Sequence, residues 1–328
     1  MDDALQAVDF DNPSHPNFEN GKAFHVAVEH RLMHAETLAY MLHWMPYDRK
    51  VPQASLLTEP SPPVQHRMIE IPAGTATLGH DPNAAGFGWC NEYSQHTVGT
   101  PAFAIGSHNI TNGDYLKFME AGGYQERSLW RDDDWTWKEA ERVAHPRFWV
   151  RRDGPWFYRA MFEEIPLPEG WPVYVSQAEA TAYARWAGKE LPTEAQFHRA
   201  AYGTPEGTER SYPWGAEEPD GRHGNFDFRR WDPTPVGVYP NGESAFGVAD
   251  LLGNGWEWTS TIFAPFEGFE PLPFYPNYSA NFFDGKHYVI KGGSARTGAP
   301  LLRRSFRNWF QAHYPHIYSS FRLVENGG

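Results

Sequence analysis

The sequence predicts an irregular α+β fold, and three observations support this prediction. Aromatic residues make up 16% of the 328 residues, and the chain also carries 30 glycines and 28 prolines. Such a composition is typical of short strands and long loops that large rings hold in place. Helical patterns are few, and short strand patterns bounded by turn residues follow residue 68.

The chain divides into three stretches. Residues 1–46 begin as an acidic, irregular segment and then predict a helix, because residues 22–45 lack glycine and proline and Pro46 follows. Residues 47–67 are proline-rich with little periodicity, which indicates an extended linker. Residues 68–328 are predicted to form the main domain.

Within this domain, residues 68–74 and 102–105 are predicted strands, and almost everything between Gly203 and Arg322 is predicted as loop or short strand. Each predicted helix follows a Ser or Thr that can accept a hydrogen bond from the first turn, in two cases with Glu or Gln three residues on. These helices are 112–121 after Thr111, 177–187 after Ser176 with Glu179, and one that begins after Thr193 with Gln196.

Charge and composition exclude several kinds of partner. The net charge of -13 argues against nucleic acid and against anionic lipid, which both need a basic surface. No apolar run approaches the roughly 20 residues that span a bilayer, and the first residues lack a secretory pattern. Cys90 is the one cysteine, so no disulfide forms within the chain. We expect a cytoplasmic protein with no membrane contact.

An ordered series of motifs runs through the main domain. The matching segments are 71–74, 78–79, 110–115, 172–176, 182–196, 212–215, 253–259, 292–294 and 320–322. Together they resemble the formylglycine-generating-enzyme (sulfatase-modifying factor) domain over about three quarters of the chain. The resemblance implies an irregular, loop-rich fold similar to that of C-type lectins. Family members that oxidise a sulfatase cysteine bind copper through two cysteines near the C-terminus, but residues 307–322 contain none.

His30 and His34 are four residues apart on the predicted N-terminal helix, so both imidazoles leave the same face. This spacing suits two bonds to one metal ion, although the rings of such a pair are also common as half-buried aromatics. The helix resembles the last helix of the DinB-like bundle in EgtB-like sulfoxide synthases. The resemblance implies that His30, His34 and a third histidine hold a non-haem iron(II).

The third ligand stays open at this stage. His25 points to another side of the helix, and His15 lies in a predicted loop. Three interpretations remain: residues 1–46 are a shortened remnant of the helical domain, a separate polypeptide completes the site, or the pair is a relic that binds no iron.

The resemblance also implies the reaction and its substrates. An O2-dependent enzyme would join a cysteine-type thiol to the ring of a trimethylated histidine, giving a sulfoxide in ergothioneine biosynthesis. Tyr275 and Tyr278 are candidate proton donors, with structural loop rings as the alternative. Free cysteine is favoured over γ-glutamylcysteine, because Phe310 and Tyr314 stand where an Asp and an Arg bind that thiol. The sequence does not distinguish trimethylated from plain histidine, or a thiol donor from a selenol donor.

Asn308, Trp309 and Arg307 match the segment that holds the trimethylated histidine, and Trp309 is predicted to face its quaternary ammonium. Arg303 and Arg304, with Arg307, are candidates for carboxylate binding. The alternative for Trp309 is a core position.

Asn254 and Glu257 supply oxygens in a turn, and related domains carry calcium near this motif, so we predict a calcium site there. The alternative is that Glu257 only accepts hydrogen bonds from backbone amides. For the whole chain, the alternative function is a non-catalytic module that binds small molecules beside an incomplete metal site.

Overall fold

The computed structural model describes residues 3, 6, 16–53 and 65–327. Helix α1 (Lys22–His43) begins after Gly21, whose φ of 68° turns the chain into the helix, and gives way to Trp44. The predicted N-terminal helix is therefore confirmed, as is the α+β class. In the described residues no helix is long and apolar enough to cross a membrane.

The predicted capping residues begin the predicted helices. The hydroxyls of Thr111, Ser176 and Thr193 each accept from a first-turn amide, and each forms a capping box. A helix at 132–140 was not predicted, because its sequence, three aspartates followed by two tryptophans, shows no apolar stripe. The helices after α1 are α2 (Asn112–Glu120), α3 (Asp132–Ala140), α4 (Gln177–Trp186) and α5 (Glu194–Tyr202).

The described strands form four small sheets, with orders β1-β4-β12, β10-β9-β8-β11, β2-β3 and β5-β6-β7. All pairs are antiparallel except β11 with β8. The strands are β1 (Met68–Ile71), β2 (Gly74–Leu78), β3 (His96–Thr100), β4 (Phe103–Gly106), β5 (Trp149–Arg151), β6 (Trp156–Arg159), β7 (Glu164–Pro166), β8 (Gly255–Ile262), β9 (His287–Gly293), β10 (Asn308–Gln311), β11 (Ser319–Ser320) and β12 (Val324–Asn326).

The strands β8 and β9 correct the prediction of only short strands after Gly203. They span 8 and 7 residues, and most of their residues are buried on both faces. A strand buried on both faces lacks the alternation of apolar and polar residues that marks a strand in a sequence. Strand β10 lies beside β9 and carries Asn308 and Trp309 to the surface that faces α1.

The predicted linker is described only at its two ends. Residues 47–49 form one 3-10 turn, and Lys50 donates to the carbonyl of His43. Residues 54–64 lie outside the described residues. The division into 1–46, 47–67 and 68–328 remains a prediction.

Candidate metal and substrate site

Helix α1 is attached to the main domain by a buried polar stripe. Glu29, Glu36 and His43 are seven residues apart, which places them on one helix face, and they are 5%, 8% and 0% exposed. His43 donates from Nε2 to the carbonyl of Arg159 (2.8 Å), so its Nδ1 accepts from the hydroxyl of Tyr318 (3.1 Å). Polar contacts of this kind fix the rotation of the helix more strictly than apolar contacts do.

The two glutamates of this stripe accept hydrogen bonds from the main domain. Glu36 accepts from the Trp256 indole (2.9 Å) and from the hydroxyls of Ser294 and Thr297. Glu29 accepts from the Trp89 indole and forms an ion pair with Arg303, while burial raises the pKa of its carboxyl to about 7. Sequence reasoning missed these contacts, although the seven-residue spacing was visible.

With the rotation of α1 fixed in this way, the two predicted histidines meet. The Nε2 atoms of His30 and His34 are 3.1 Å apart, and their rings are inclined by 74°. The hydroxyl of Tyr275 lies 3.4 Å from Nε2 of His30. Burial, and then the neighbouring His34, lower the pKa of His30, so its ring favours the neutral form that binds metal ions.

The histidine pair fits one metal ion as two adjacent ligands. Ligand nitrogens at roughly 2.1 Å that meet at a right angle lie about 3 Å apart, close to the 3.1 Å observed. Among residues 16–53 and 65–327, no group of three or more His, Cys, Asp and Glu side chains is arranged to hold a metal. His25 stacks on Phe87 instead, and His15 lies outside the described residues.

A cavity of about 300 Å³ lies between α1 and the strands β8 to β10. Met33, Thr37 and Tyr40 line it from α1, where their spacing of four and three residues gives them a common face beside the histidines. The remaining lining residues are Glu36, Trp256, Tyr278, Phe282, His287, Leu301, Phe306, Asn308, Trp309, Phe310 and Ile317. The cavity therefore brings together the predicted Asn308, Trp309 and Tyr278.

Aromatic rings form one wall of the cavity. Trp309 stacks on Phe263 with ring centroids 4.2 Å apart, lies edge to face with Tyr278 at 5.4 Å, and packs against the tilted ring of Phe282 at 5.5 Å. Tyr278 stacks on Trp89, and its hydroxyl lies 3.5 Å from the sulfur of Met33. Burial holds the pKa of Tyr278 well above its usual value, so this phenol keeps its proton.

A family model described as "Sulfatase-modifying factor enzyme 1-like domain" matches residues 54–327. The chain belongs to this family. The hercynine oxygenase of Mycolicibacterium smegmatis is 35% identical over 317 residues, which cover 94% of this chain and 73% of that protein. The hercynine oxygenase of Mycobacterium tuberculosis is 40% identical over 237 residues, which cover 71% of this chain and 55% of that protein. This chain thus spans just over half the length of the second relative.

Two further similarities are more distant. Ergothioneine biosynthesis protein 1 of Schizosaccharomyces pombe is 32% identical over 243 residues, covering 73% of this chain and 28% of that protein. The structure of PvdO from Pseudomonas aeruginosa superposes with a TM-score of 0.51 at 20% identity, covering 78% of this chain and 93% of that chain. The predicted resemblance to EgtB-like members of the sulfatase-modifying-factor family is confirmed, and so is the fold.

In this family member the predicted carboxylate-binding arginines are engaged elsewhere. Arg307 is 2% exposed and forms an ion pair with Glu194 (3.0 Å). Arg304 forms one with Glu209 (2.7 Å), and Arg303 pairs with Glu29 and Glu92. None of these arginines lines the cavity described above. In these contacts Arg303, Arg304 and Arg307 join segments of the fold, and their role in carboxylate binding stays a prediction that the ion pairs argue against.

The predicted calcium ligands are likewise engaged. Both carboxylate oxygens of Glu257 accept from Arg322, and the two side chains are fully buried. The side-chain oxygen of Asn254 accepts from the amide and hydroxyl of Thr234 and from Asn225. A guanidinium and three donors surround these oxygens, which opposes a cation. The calcium site at Asn254 and Glu257 stays a prediction that this buried ion pair and these turn contacts argue against.

Proposed function

We propose that this chain is an iron(II)- and O2-dependent sulfoxide synthase of ergothioneine biosynthesis. It would join a cysteine-type thiol to the imidazole of hercynine, the trimethylated histidine. The names of the relatives support an oxygenase of this pathway. The observation that carries the proposal is the convergence of His30 and His34 with Tyr275, beside an aromatic cavity.

His30 and His34 would hold the iron through their Nε2 atoms, and a third ligand would come from outside the described residues. Bound iron(II) would supply the activation of O2 and of the substrate thiol. Glu29 and Glu36 act through position, because they fix the rotation that makes the two imidazoles converge.

Trp309 and Asn308 would bind hercynine in the cavity. A quaternary ammonium carries no proton to donate, so it is recognised by aromatic faces and apolar shape. The face of an indole contributes about 0.5–2 kcal/mol to binding such a cation, more as water is excluded. The cavity of about 300 Å³, with its half-buried Trp309, suits a betaine of this size.

Tyr275 is the proposed proton donor. Its hydroxyl is 3.4 Å from a histidine ring nitrogen, at the position where the reacting atoms would gather. Tyr278 is more deeply buried and stacks on Trp89, which suits it to shape the cavity rather than to transfer protons.

Phe310 and Tyr314 bear on the choice of thiol. Their rings stack in parallel, with centroids 5.5 Å apart and planes 5° apart. A stacked aromatic pair offers no charged group to the second carboxylate of γ-glutamylcysteine, so we propose cysteine as the donor.

The direct test is turnover by the full chain with iron(II), O2, cysteine and hercynine, followed by mass spectrometry. The proposal expects a product with the mass of hercynylcysteine sulfoxide, and none when iron or O2 is withheld. Supplying γ-glutamylcysteine in place of cysteine tests the thiol assignment, which predicts less product. Absence of sulfoxide with every thiol, from protein that has bound iron, contradicts the proposal.

A second function is favoured by the two-histidine site itself. With two ligands among the described residues, the chain would bind hercynine without reacting. Hercynine binding without turnover, by protein that contains one iron per chain, is the result that this alternative predicts.

A further inference from the structure

His287 is the one basic side chain that lines the cavity among the residues described. It begins strand β9 and is 8% exposed. The other ionisable groups of the lining are the acids Glu36, Tyr40 and Tyr278. A negatively charged group in this cavity therefore has a single side chain that can carry a balancing charge.

The ring of His287 is held in one orientation. Its Nδ1 lies 2.9 Å from Oδ1 of Asp284, and that oxygen also accepts from the amide of Lys286. The carboxylate accepts, so Nδ1 must be the donor, which leaves Nε2 as the atom that can contact a ligand. Within the described part of the chain, Nε2 has no hydrogen-bond partner, and the edge of the ring rests on Phe282 at 5.2 Å.

The one carboxyl group in the described lining of the cavity, that of Glu36, already accepts hydrogen bonds from the protein. Glu36 is 8% exposed and accepts from Trp256, Ser294 and Thr297. Burial raises the pKa of its carboxyl, which lessens any repulsion of a ligand carboxylate. The described lining of the cavity thus has one basic side chain, His287, and no unpaired anion.

Phe282 links His287 to the proposed ammonium site. The ring of Phe282 meets His287 at 5.2 Å and Trp309 at 5.5 Å, so these two side chains flank one ring. An amino-acid betaine carries its ammonium and its carboxylate on the same carbon atom. A ligand whose ammonium faces Trp309 has its carboxylate within a few ångströms of that position.

We infer that His287, oriented by Asp284, binds the carboxylate of the betaine substrate and selects amino-acid betaines over the corresponding amines. This inference rests on the proposed function and extends it to a residue that neither the motifs nor the histidine pair identify. His287 is a substrate-binding residue, and Asp284 is a positioning residue.

The test measures ligand binding to the metal-free full chain, by calorimetry or by the fluorescence of cavity tryptophans. Two ligands are compared: hercynine, and trimethylhistamine, which lacks the carboxylate. Wild type is expected to bind hercynine more tightly. His287→Gln should weaken hercynine binding about 10- to 100-fold, the range for losing a charge-assisted hydrogen bond, and leave trimethylhistamine binding unchanged.

Asp284→Asn should weaken hercynine binding by a smaller factor, because the ring remains but loses the carboxylate that orients it. His96→Gln is the matched control, since His96 is exposed on β3 and does not line the cavity. Circular dichroism and thermal melting show whether each variant folds, and His287→Asn serves where His287→Gln does not.

An equal loss for both ligands, or no loss, overturns the assignment of His287. If wild type binds neither ligand, hercynine is not the substrate, and both the proposed function and the role of His287 are contradicted. If wild type binds hercynine and the variant does too, only the inference fails.

Discussion

The sequence offers two candidate metal sites, and the structure treats them in opposite ways. At Asn254 and Glu257 the side-chain oxygens are all taken up by Arg322, Thr234 and Asn225. At His30 and His34 the ring nitrogens face each other, with Tyr275 as their neighbour. Oxygens that already accept from several donors are poor ligands for a cation, whereas two imidazole nitrogens whose main neighbour is each other can turn to one metal ion.

The largest effect on stability is expected at Asn254 and Glu257, which we call the closed site because their oxygens already have partners. Arg322→Met leaves the fully buried carboxylate of Glu257 without its partner, so we expect a loss of about 3–5 kcal/mol in the free energy of unfolding. Urea denaturation measures it. The matched control is Arg152→Met, which breaks an ion pair whose arginine is 59% exposed and should cost less than about 1 kcal/mol. Restoration of the stability of Arg322→Met by calcium would instead support the predicted calcium site.

The stability of the region around the closed site should also fall in acid, because of His108. Burial, and then His66, lower the pKa of His108 to about 4. The folded state therefore resists protonation that the unfolded state accepts below about 6.5, so stability from this residue is lost as the pH falls from 6.5 to 4. Relative to His108→Gln, wild type should lose about 3 kcal/mol across that window. If the stability of the two proteins depends on pH in the same way, the pKa of His108 is not lowered by folding.

We call the pair His30 and His34 the open site. There, the hydroxyl of Tyr275 is expected to contribute more to the reaction rate than that of Tyr278. Tyr275→Phe removes the proposed proton donor and should slow sulfoxide formation roughly 100-fold, with iron binding unchanged. Tyr278→Phe is the matched variant and should have the smaller effect. Equal rates for both variants and wild type would place the proton source elsewhere.

The polar stripe of α1 (Glu29, Glu36 and His43) should stabilise the open site by holding the helix in one rotation. Glu36→Ala leaves three buried donors without their acceptor, and we expect it to cost about 2 kcal/mol. Met41→Ala, on the exposed face of the same helix, is the control. Faster hydrogen exchange confined to α1 would support this role, whereas unchanged exchange would show that the helix is held by other contacts.

Local features were predictable from the sequence, and partners were not. The uninterrupted segment 22–45 and the caps at Thr111 and Ser176 gave the helices, because these signals depend on neighbours in the chain. The spacing of His30 and His34 gave their common face for the same reason. Which face of α1 is buried depends on residues more than 200 positions away, such as Trp256.

The arginines illustrate the same limit. Arg304 and Arg307 carry the right charge for a carboxylate, but Glu209 and Glu194 already supply one. His287 was overlooked because its significance lies in the cavity that it lines, and that cavity is assembled from distant segments.

The central claim is that His30 and His34 bind one metal ion, and anaerobic titration with iron(II) tests it most directly. The account predicts about one iron per chain for wild type and at least a 100-fold weaker affinity, or about 2.7 kcal/mol, for His34→Ala. The control His25→Ala, whose ring stacks on Phe87, should bind iron like wild type. Iron binding that survives the loss of both His30 and His34, in variants that still fold, would contradict the account.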